Sequence, residues 1–283
     1  MPQNNINTKE VEKGSFLPLK MKQNYKKQPS KYMGIDKNCT WLISLLQKHS
    51  GLKDENIILT LLKIKTDESF ECFENQLCIS ESELNNIFKE TIKIISPILK
   101  SLIFCPTSFQ VKEASLLIPL DINCINIYII INTFEIEIQK PSDPVHQTLT
   151  LSRWLKDKHT IKYLIGCTPD GFISVISKGY GGAISDMSLL EQSPLLEHLP
   201  ENSVVMAERD LKHVESFFIN HKCTLIGPSN LFGYSEKMPL DKIIRRIREY
   251  KMLRLFSTLD LNYLGCIDDI VTTVCSLINL SPN

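Results

Sequence analysis

The segment from Lys158 to Arg209 constrains the fold most strongly, because it contains three different structural signals in close succession. Two apolar, β-branched runs, Thr160 to Thr168 and Phe172 to Lys178, flank the turn sequence Pro169-Asp170-Gly171. Proline presets φ and glycine accepts a positive φ, so this pattern predicts a β-hairpin. A glycine-containing loop, an apolar helix pattern from Asp186 and a short buried strand at 203–207 follow.

The flanking regions extend this pattern into an α/β fold. The run INIYIII at 125–131 predicts a buried strand that continues into the alternating FEIEI. After the short strand at 203–207, a helix over 214–219, a strand over 223–226, a helix over 240–255 and a buried helix over 267–280 are predicted. This order of elements is typical of an RNase H-like mixed sheet flanked by helices, within a predicted domain of residues 105–283.

Residues 39–104 have helical periodicity throughout, which predicts a small all-helical region before the sheet. Ser80 precedes Glu83 by three residues, so Ser80 is the expected N-cap of a long helix that contains Pro97. Residues 1–38 are rich in lysine and lack periodicity, which predicts a disordered basic tail. That tail would be a solvated linker or a segment for nuclear import or contact with the DNA backbone.

Composition excludes several classes of protein. The 283 residues carry a formal net charge of 0, so any affinity for nucleic acid must come from local patches. The nine cysteines lack zinc-ligand spacing and no histidine pair complements them, which predicts no zinc site. We found no continuous apolar run of about 18 residues, which predicts no membrane span.

Four motifs resemble the DDE-superfamily endonuclease domain of PIF/Harbinger-type transposases and their domesticated relatives. These are INTFEIEIQKPS at 131–142, the Lys158–Asp186 block that includes KGYGGAISD, VVMAERD at 204–210 and DKIIRRIREYKML at 241–253. Upstream, residues 63–90 resemble the helix-turn-helix that precedes the nuclease in such relatives. The resemblance covers roughly residues 40–283.

The resemblance implies three catalytic, metal-binding positions, which are here Asn132, Glu208 and Asp241. Relatives place aspartate, aspartate and glutamate there to hold two divalent ions, Mg²⁺ or Mn²⁺. Asn132 is uncharged, Glu208 is one methylene longer and Asp241 one methylene shorter than the family residue. We therefore expect cleavage to be lost or severely impaired. The alternatives are an active metal-dependent nuclease with an Asn-Glu-Asp triad and a decayed element.

Each position also has a structural interpretation. Asn132 could bond to backbone, Glu208 could pair with Arg209, and Asp241 could pair with Arg245 one helical turn later. Asp186 is the expected N-cap of its helix, or a substrate-facing loop residue beside the metal site.

Candidate contacts to the DNA backbone lie on one basic segment, and they either bind phosphate or form a solvated face: Lys242, Arg245, Arg246, Arg248 and Lys251. The acidic helix-turn-helix is expected to pack on the nuclease core or to bind a protein partner. The expected partners are thus DNA and proteins, without a membrane. The expected location is the nucleus, with the cytoplasm as an additional location.

Overall fold

The computed structural model describes residues 16–77, 79–105, 127–207, 214–227 and 239–281. The first part of the chain is helical, as the periodicity predicts. Its helices are α1 (Leu19–Lys27), α2 (Pro29–Tyr32), α3 (Trp41–Ser50), α4 (Asp54–Thr66), α5 (Phe70–Leu77) and α6 (Glu81–Lys100).

The prediction of a disordered tail is wrong for residues 16–38, which contain α1 and α2. Leu17, Met33 and Ile35 are fully buried in the main core. The Glu55 carboxylate, itself buried, accepts the main-chain N–H groups of Phe16 at 3.0 Å and Leu17 at 3.4 Å. The few apolar side chains of this segment pack against helices from other parts of the chain, so they do not repeat at a helical spacing within the segment. Residues 1–15 of the predicted tail lie outside the described residues.

The long helix α6 follows its sequence signals. Ser80 Oγ accepts the Glu83 N–H at 3.3 Å, which confirms Ser80 as the N-cap. Pro97 lies inside α6, which continues to Lys100. The buried face of α6, with Phe88 and Ile92, packs against α4 and the C-terminal helix.

Within the described residues, six strands form one mixed sheet. They are β1 (Ile127–Glu137), β2 (Thr160–Cys167), β3 (Ile173–Ile176), β4 (Tyr180–Gly181), β5 (Val204–Ala207) and β6 (Thr224–Ile226). The sheet order is β3-β2-β1-β5-β6, with β4 beside β2. The β1–β2 and β2–β3 pairs are antiparallel, whereas β1–β5 and β5–β6 are parallel. This arrangement confirms the predicted RNase H-like fold class.

The β2–β3 hairpin forms as predicted. Gly171 has a φ of 90°, a conformation that favours glycine, and its N–H donates to the Thr168 carbonyl at 2.9 Å. The two strands end one or more residues earlier than their apolar runs.

Helices cover both faces of the sheet. They are α7 (Pro144–Thr150), α8 (Asp186–Glu191), α9 (Glu215–Asn220), α10 (Pro239–Arg248) and α11 (Ile267–Leu280). Alternate residues of β1 belong to two apolar clusters: Ile130 and Phe134 face the cluster that includes α10 and α11, and Ile129 and Ile131 face the cluster that includes α8 and α9. The helix predicted through residue 255 ends at Arg248, and a 3₁₀ turn follows at Lys251–Leu253.

One apolar cluster continues from the N-terminal helices into the sheet. It includes Leu46 and Ile58 of the helical region together with Phe134 and Val274. Residues 261–280, a 3₁₀ turn followed by α11, are long and apolar enough to cross a membrane, although most of their surface is buried within the protein. The absence of a membrane partner therefore stays a prediction.

Candidate functional site

Asn132, the first predicted catalytic position, lies near the middle of β1 opposite Ile165 of β2. The side chain is buried, and its Oδ1 accepts the Thr133 main-chain N–H at 2.7 Å. This hydrogen bond agrees with the structural interpretation of Asn132. The amide oxygen can ligate a divalent ion, but it is neutral and cannot supply the charge with which a carboxylate bridges two ions.

The sheet register brings the segments around the first two positions together. Ile131 of β1 pairs with Ala207 of β5, and these residues immediately precede Asn132 and Glu208 in the chain. Glu208 itself lies outside the described residues, so its predicted role as a ligand stays a prediction.

Asp241, the third predicted position, lies in the first turn of α10 and is exposed. The buried residues Leu240, Ile243 and Ile247 anchor α10 on the sheet, which leaves Asp241 on the outer side. Within the described part of the chain, no ion pair joins Asp241 to Arg245.

The described residues do not by themselves fit a two-metal centre. They contain no group of three or more His, Cys, Asp or Glu side chains that could hold a metal ion. Two divalent ions bring four positive charges, which Asn132 cannot offset and Asp241 offsets only in part.

Asp186 has a different role from both sequence interpretations. The N-cap of α8 is Ser185, whose Oγ accepts the Ser188 N–H at 3.0 Å, so the predicted cap is one residue too late. Asp186 occupies the first helical position and pairs with Lys162 of β2, Nζ to Oδ1, at 2.6 Å. Both side chains are buried, which makes this pair part of the interior.

The sequence analysis missed a polar cluster around this ion pair. On β1, Glu135 lies directly opposite Lys162 in the antiparallel register. Its Oε2 accepts hydrogen bonds from Ser152 at 2.5 Å and Thr160 at 2.8 Å, whereas its Oε1 is buried without a partner among the described residues. Glutamate and lysine at inward positions of otherwise apolar strands are the signal that could have identified the cluster.

Two of the five basic residues predicted to contact DNA are instead bonded within the protein. Arg246 donates to the carbonyls of Ile278 and Ser281, each at 3.2 Å, and so caps the end of α11. Arg248 donates to the carbonyls of Leu253 at 2.6 Å and Glu135 at 2.5 Å, with its guanidinium over the Phe134 ring. Burial lowers the pKa of Arg248 to about 10, against the opposing effect of the Glu135 carboxylate.

Of the five predicted phosphate contacts, three therefore remain candidates: Lys242, Arg245 and Lys251, which are all exposed. None of these three side chains has an ion pair or hydrogen bond to another described residue. Lys242 and Arg245 are three positions apart on α10 and so share one face of that helix.

The helix-turn-helix-like segment packs on the core, as one of its two interpretations predicts. Asn85 Oδ1, in the second helix of this segment, accepts the Tyr263 hydroxyl at 2.8 Å. Asn85 Nδ2 donates to the Glu81 carbonyl at 3.1 Å. These bonds occupy the side chain of Asn85, which together with Asn86 is of a residue type that commonly contacts base edges.

Comparison with known proteins gives one family and one distant structural neighbour. The structure described as "Crystal structure of a pre-cleavage Mos1 transpososome" aligns with 80% of this chain and 75% of its own, at 10% identity and a TM-score of 0.27. No curated protein matches. The family model described as "DDE superfamily endonuclease" matches residues 131–279, from the end of the apolar run in β1 to the end of α11. The chain belongs to the DDE superfamily endonuclease family.

Proposed function

We propose that this protein is a domesticated derivative of a PIF/Harbinger-type transposase that binds DNA and cleaves it poorly or not at all. The observation that carries the proposal is Asn132: a buried, hydrogen-bonded amide occupies the strand position where the family resemblance implies a metal-binding aspartate. A misplacement of about 1 Å in such a site can reduce the rate about 100-fold, and loss of a ligand charge is a larger change.

The DNA-binding part of the proposal depends on α10. Its exposed face presents Lys242 and Arg245 beside Asp241, the predicted third position of the old catalytic site. When lysine and arginine side chains bind DNA phosphates, the counterions condensed on the DNA are released, so this contact is electrostatic and independent of the base sequence. The chain would then act as a scaffold on chromatin.

The second candidate function is an active divalent-metal nuclease that uses Asn132, Glu208 and Asp241. The exposed carboxylate of Asp241 favours it, because one acid remains accessible at a family position. In that case Asp241 and Glu208 would hold the metal, and the ion would activate water and stabilise the leaving oxygen.

Cleavage assays separate the two candidates. We expect the purified full chain to leave supercoiled plasmid intact with Mg²⁺ or Mn²⁺. Nicking that EDTA and Asp241→Ala both abolish would establish the nuclease and overturn the proposed impairment. Asn132→Asp is the companion variant, since regained nicking would show that the missing charge is what limits the reaction.

Binding assays test the scaffold part. Fluorescence anisotropy with labelled duplex should give an affinity that falls with salt. The double variant Lys242→Ala/Arg245→Ala should reduce the log–log salt slope by about 1.8, at about 0.9 for each phosphate contact. Lys48→Ala/Lys100→Ala is the matched control, because it removes two exposed lysines from α3 and α6. Equal slopes for the two double variants would exclude the α10 face as the contact.

A nuclear location and protein partners of the helical region complete the proposal. Microscopy of a fluorescent fusion tests the location, and a uniformly cytoplasmic signal would contradict it. Affinity capture from nuclei, compared with a variant that lacks the exposed Trp41 and Leu45 side chains, tests the partners.

A further inference from the structure

The loop from Arg254 to Ser257 presents an aromatic side chain in an unfavourable way. The Phe256 side chain is 83% exposed, and its backbone has a φ of 62°. A bulky residue in this left-handed region is a conformational outlier. Because the Phe256 side chain is exposed, burial of apolar surface contributes almost no stabilisation to offset this strain. Residues that lower stability in this way are commonly retained at functional sites.

The surroundings of Phe256 combine positive charge with a concave surface. Lys251 and Arg254 are exposed, and neither side chain has an ion pair or hydrogen bond to another of the residues that the structure describes. A cleft of about 450 Å³ separates the loop from the C-terminal end of α4. Its lining comprises Thr66, Asp67, Lys251, Arg254, Leu255, Phe256 and Ser257, and its one acid, Asp67, is paired with Lys63 at 2.8 Å.

The loop has a fixed position relative to the old catalytic strand. Leu259 forms an isolated parallel β-bridge with Ile138, just beyond the end of β1. The Leu259 N–H donates to the Glu137 carbonyl at 2.9 Å. Ile138 is six residues beyond Asn132 in the chain. At about 3.3 Å per residue, the anchor lies roughly 20 Å along β1 from Asn132. Arg248, the last residue of α10, donates to the Leu253 carbonyl at 2.6 Å, so the end of α10 and the start of this loop are adjacent.

We propose that Phe256 stacks on an unpaired base of a nucleic-acid strand whose phosphates contact Lys251 and Arg254. This inference rests on the proposed DNA-binding function and adds a preference for single-stranded or flipped bases. An aromatic face next to unpaired cations is the combination that binds single strands. The cleft of about 450 Å³ beside the ring offers room for an unstacked base.

Anisotropy of a fluorescein-labelled oligothymidylate tests the stacking contact. We expect Phe256→Ala to weaken binding about tenfold, which is within the range for loss of one base–aromatic stack. Phe256→Trp should retain the affinity, because it keeps an aromatic face. Ile219→Ala is the matched control, since Ile219 is also highly exposed but lies on α9. Arg254→Ala should reduce the single-strand salt slope by about 0.7.

Stability measurements distinguish a stacking role from a structural one. Phe256→Gly should raise the urea midpoint of unfolding, because glycine adopts a positive φ without strain, and should still lose single-strand affinity. The stacking inference fails if Phe256→Ala and Phe256→Gly bind the oligonucleotide as tightly as the wild type does. The proposed function still stands in that case if Lys242→Ala/Arg245→Ala weakens duplex binding. If the wild type binds neither single strand nor duplex, both fail. A Phe256 variant that loses only a captured protein partner also overturns the inference.

Discussion

The buried pair of Lys162 and Asp186 should be one of the most sensitive points of the fold. The side chains are 1% and 8% exposed, and their charged atoms are 2.6 Å apart. Lys162→Met keeps the volume and the apolar stem but removes the cation. The variant then leaves Asp186 buried without its lysine, on the sheet face that also carries Glu135. Loss of one partner from a buried pair costs about 3–5 kcal/mol.

Urea unfolding followed by circular dichroism measures this cost. A domain of this kind is stable by about 5–15 kcal/mol, so the variant should unfold at a much lower urea concentration. Lys222→Met is the matched control, because the Lys222–Glu201 pair has a similar separation of 2.9 Å but side chains that are 67% and 66% exposed. Its removal should cost about 0–1 kcal/mol. Lys162→Met/Asp186→Leu should regain part of the stability, because it removes the buried Asp186 charge, while the Glu135 carboxylate keeps its hydrogen bonds from Ser152 and Thr160.

Equal unfolding midpoints for Lys162→Met and Lys222→Met would refute this reasoning. Such a result would mean that water or a rearranged loop solvates Asp186 once the lysine is gone. A double variant less stable than Lys162→Met would refute the charge-based explanation in another way, since packing would then dominate.

Three further predictions concern glycine and cysteine. Gly181→Ala should lower the free energy of unfolding by about 3 kcal/mol, because its Cβ would overlap the Leu149 carbonyl oxygen. Gly51→Ala, at a φ of 72° with open space around it, should lower it by about 1 kcal/mol. Equal losses of stability in thermal or urea unfolding would contradict this ranking. Burial raises the pKa of Cys266 to about 11 and of Cys275 to about 12. Alkylation at pH 8 followed by peptide mapping should therefore label the exposed Cys72 first. Equal rates of labelling would show that Cys266 and Cys275 are accessible to the reagent. Because the folded state holds these thiol protons more tightly than the unfolded state, their contribution to stability should fall as the pH rises above about 9.

Local signals in the sequence determined the elements whose energetics are local. Ser80 caps α6, the turn at 169–171 forms the β2–β3 hairpin, and the apolar run at 267–280 is α11. In each case the residues that stabilise the element are within a few positions of one another, so their spacing carries the information. The fold class and the resemblance to the family followed from these local motifs taken together.

The tertiary structure decided what depends on distant residues. Residues 16–38 are ordered because Leu17 and Met33 meet helices formed elsewhere, and Arg246 and Arg248 bond to carbonyls contributed by distant parts of the chain. Asp186 likewise pairs with Lys162 across the β2 face. A charged side chain has the same propensity whether it faces solvent or a buried partner, so sequence periodicity could not distinguish a DNA-binding arginine from a structural one. The fold distinguishes them, because burial makes an unpaired charge costly. Among the described residues of the basic segment, Lys242, Arg245 and Lys251 stay available to a ligand, and so does Arg254 just beyond it.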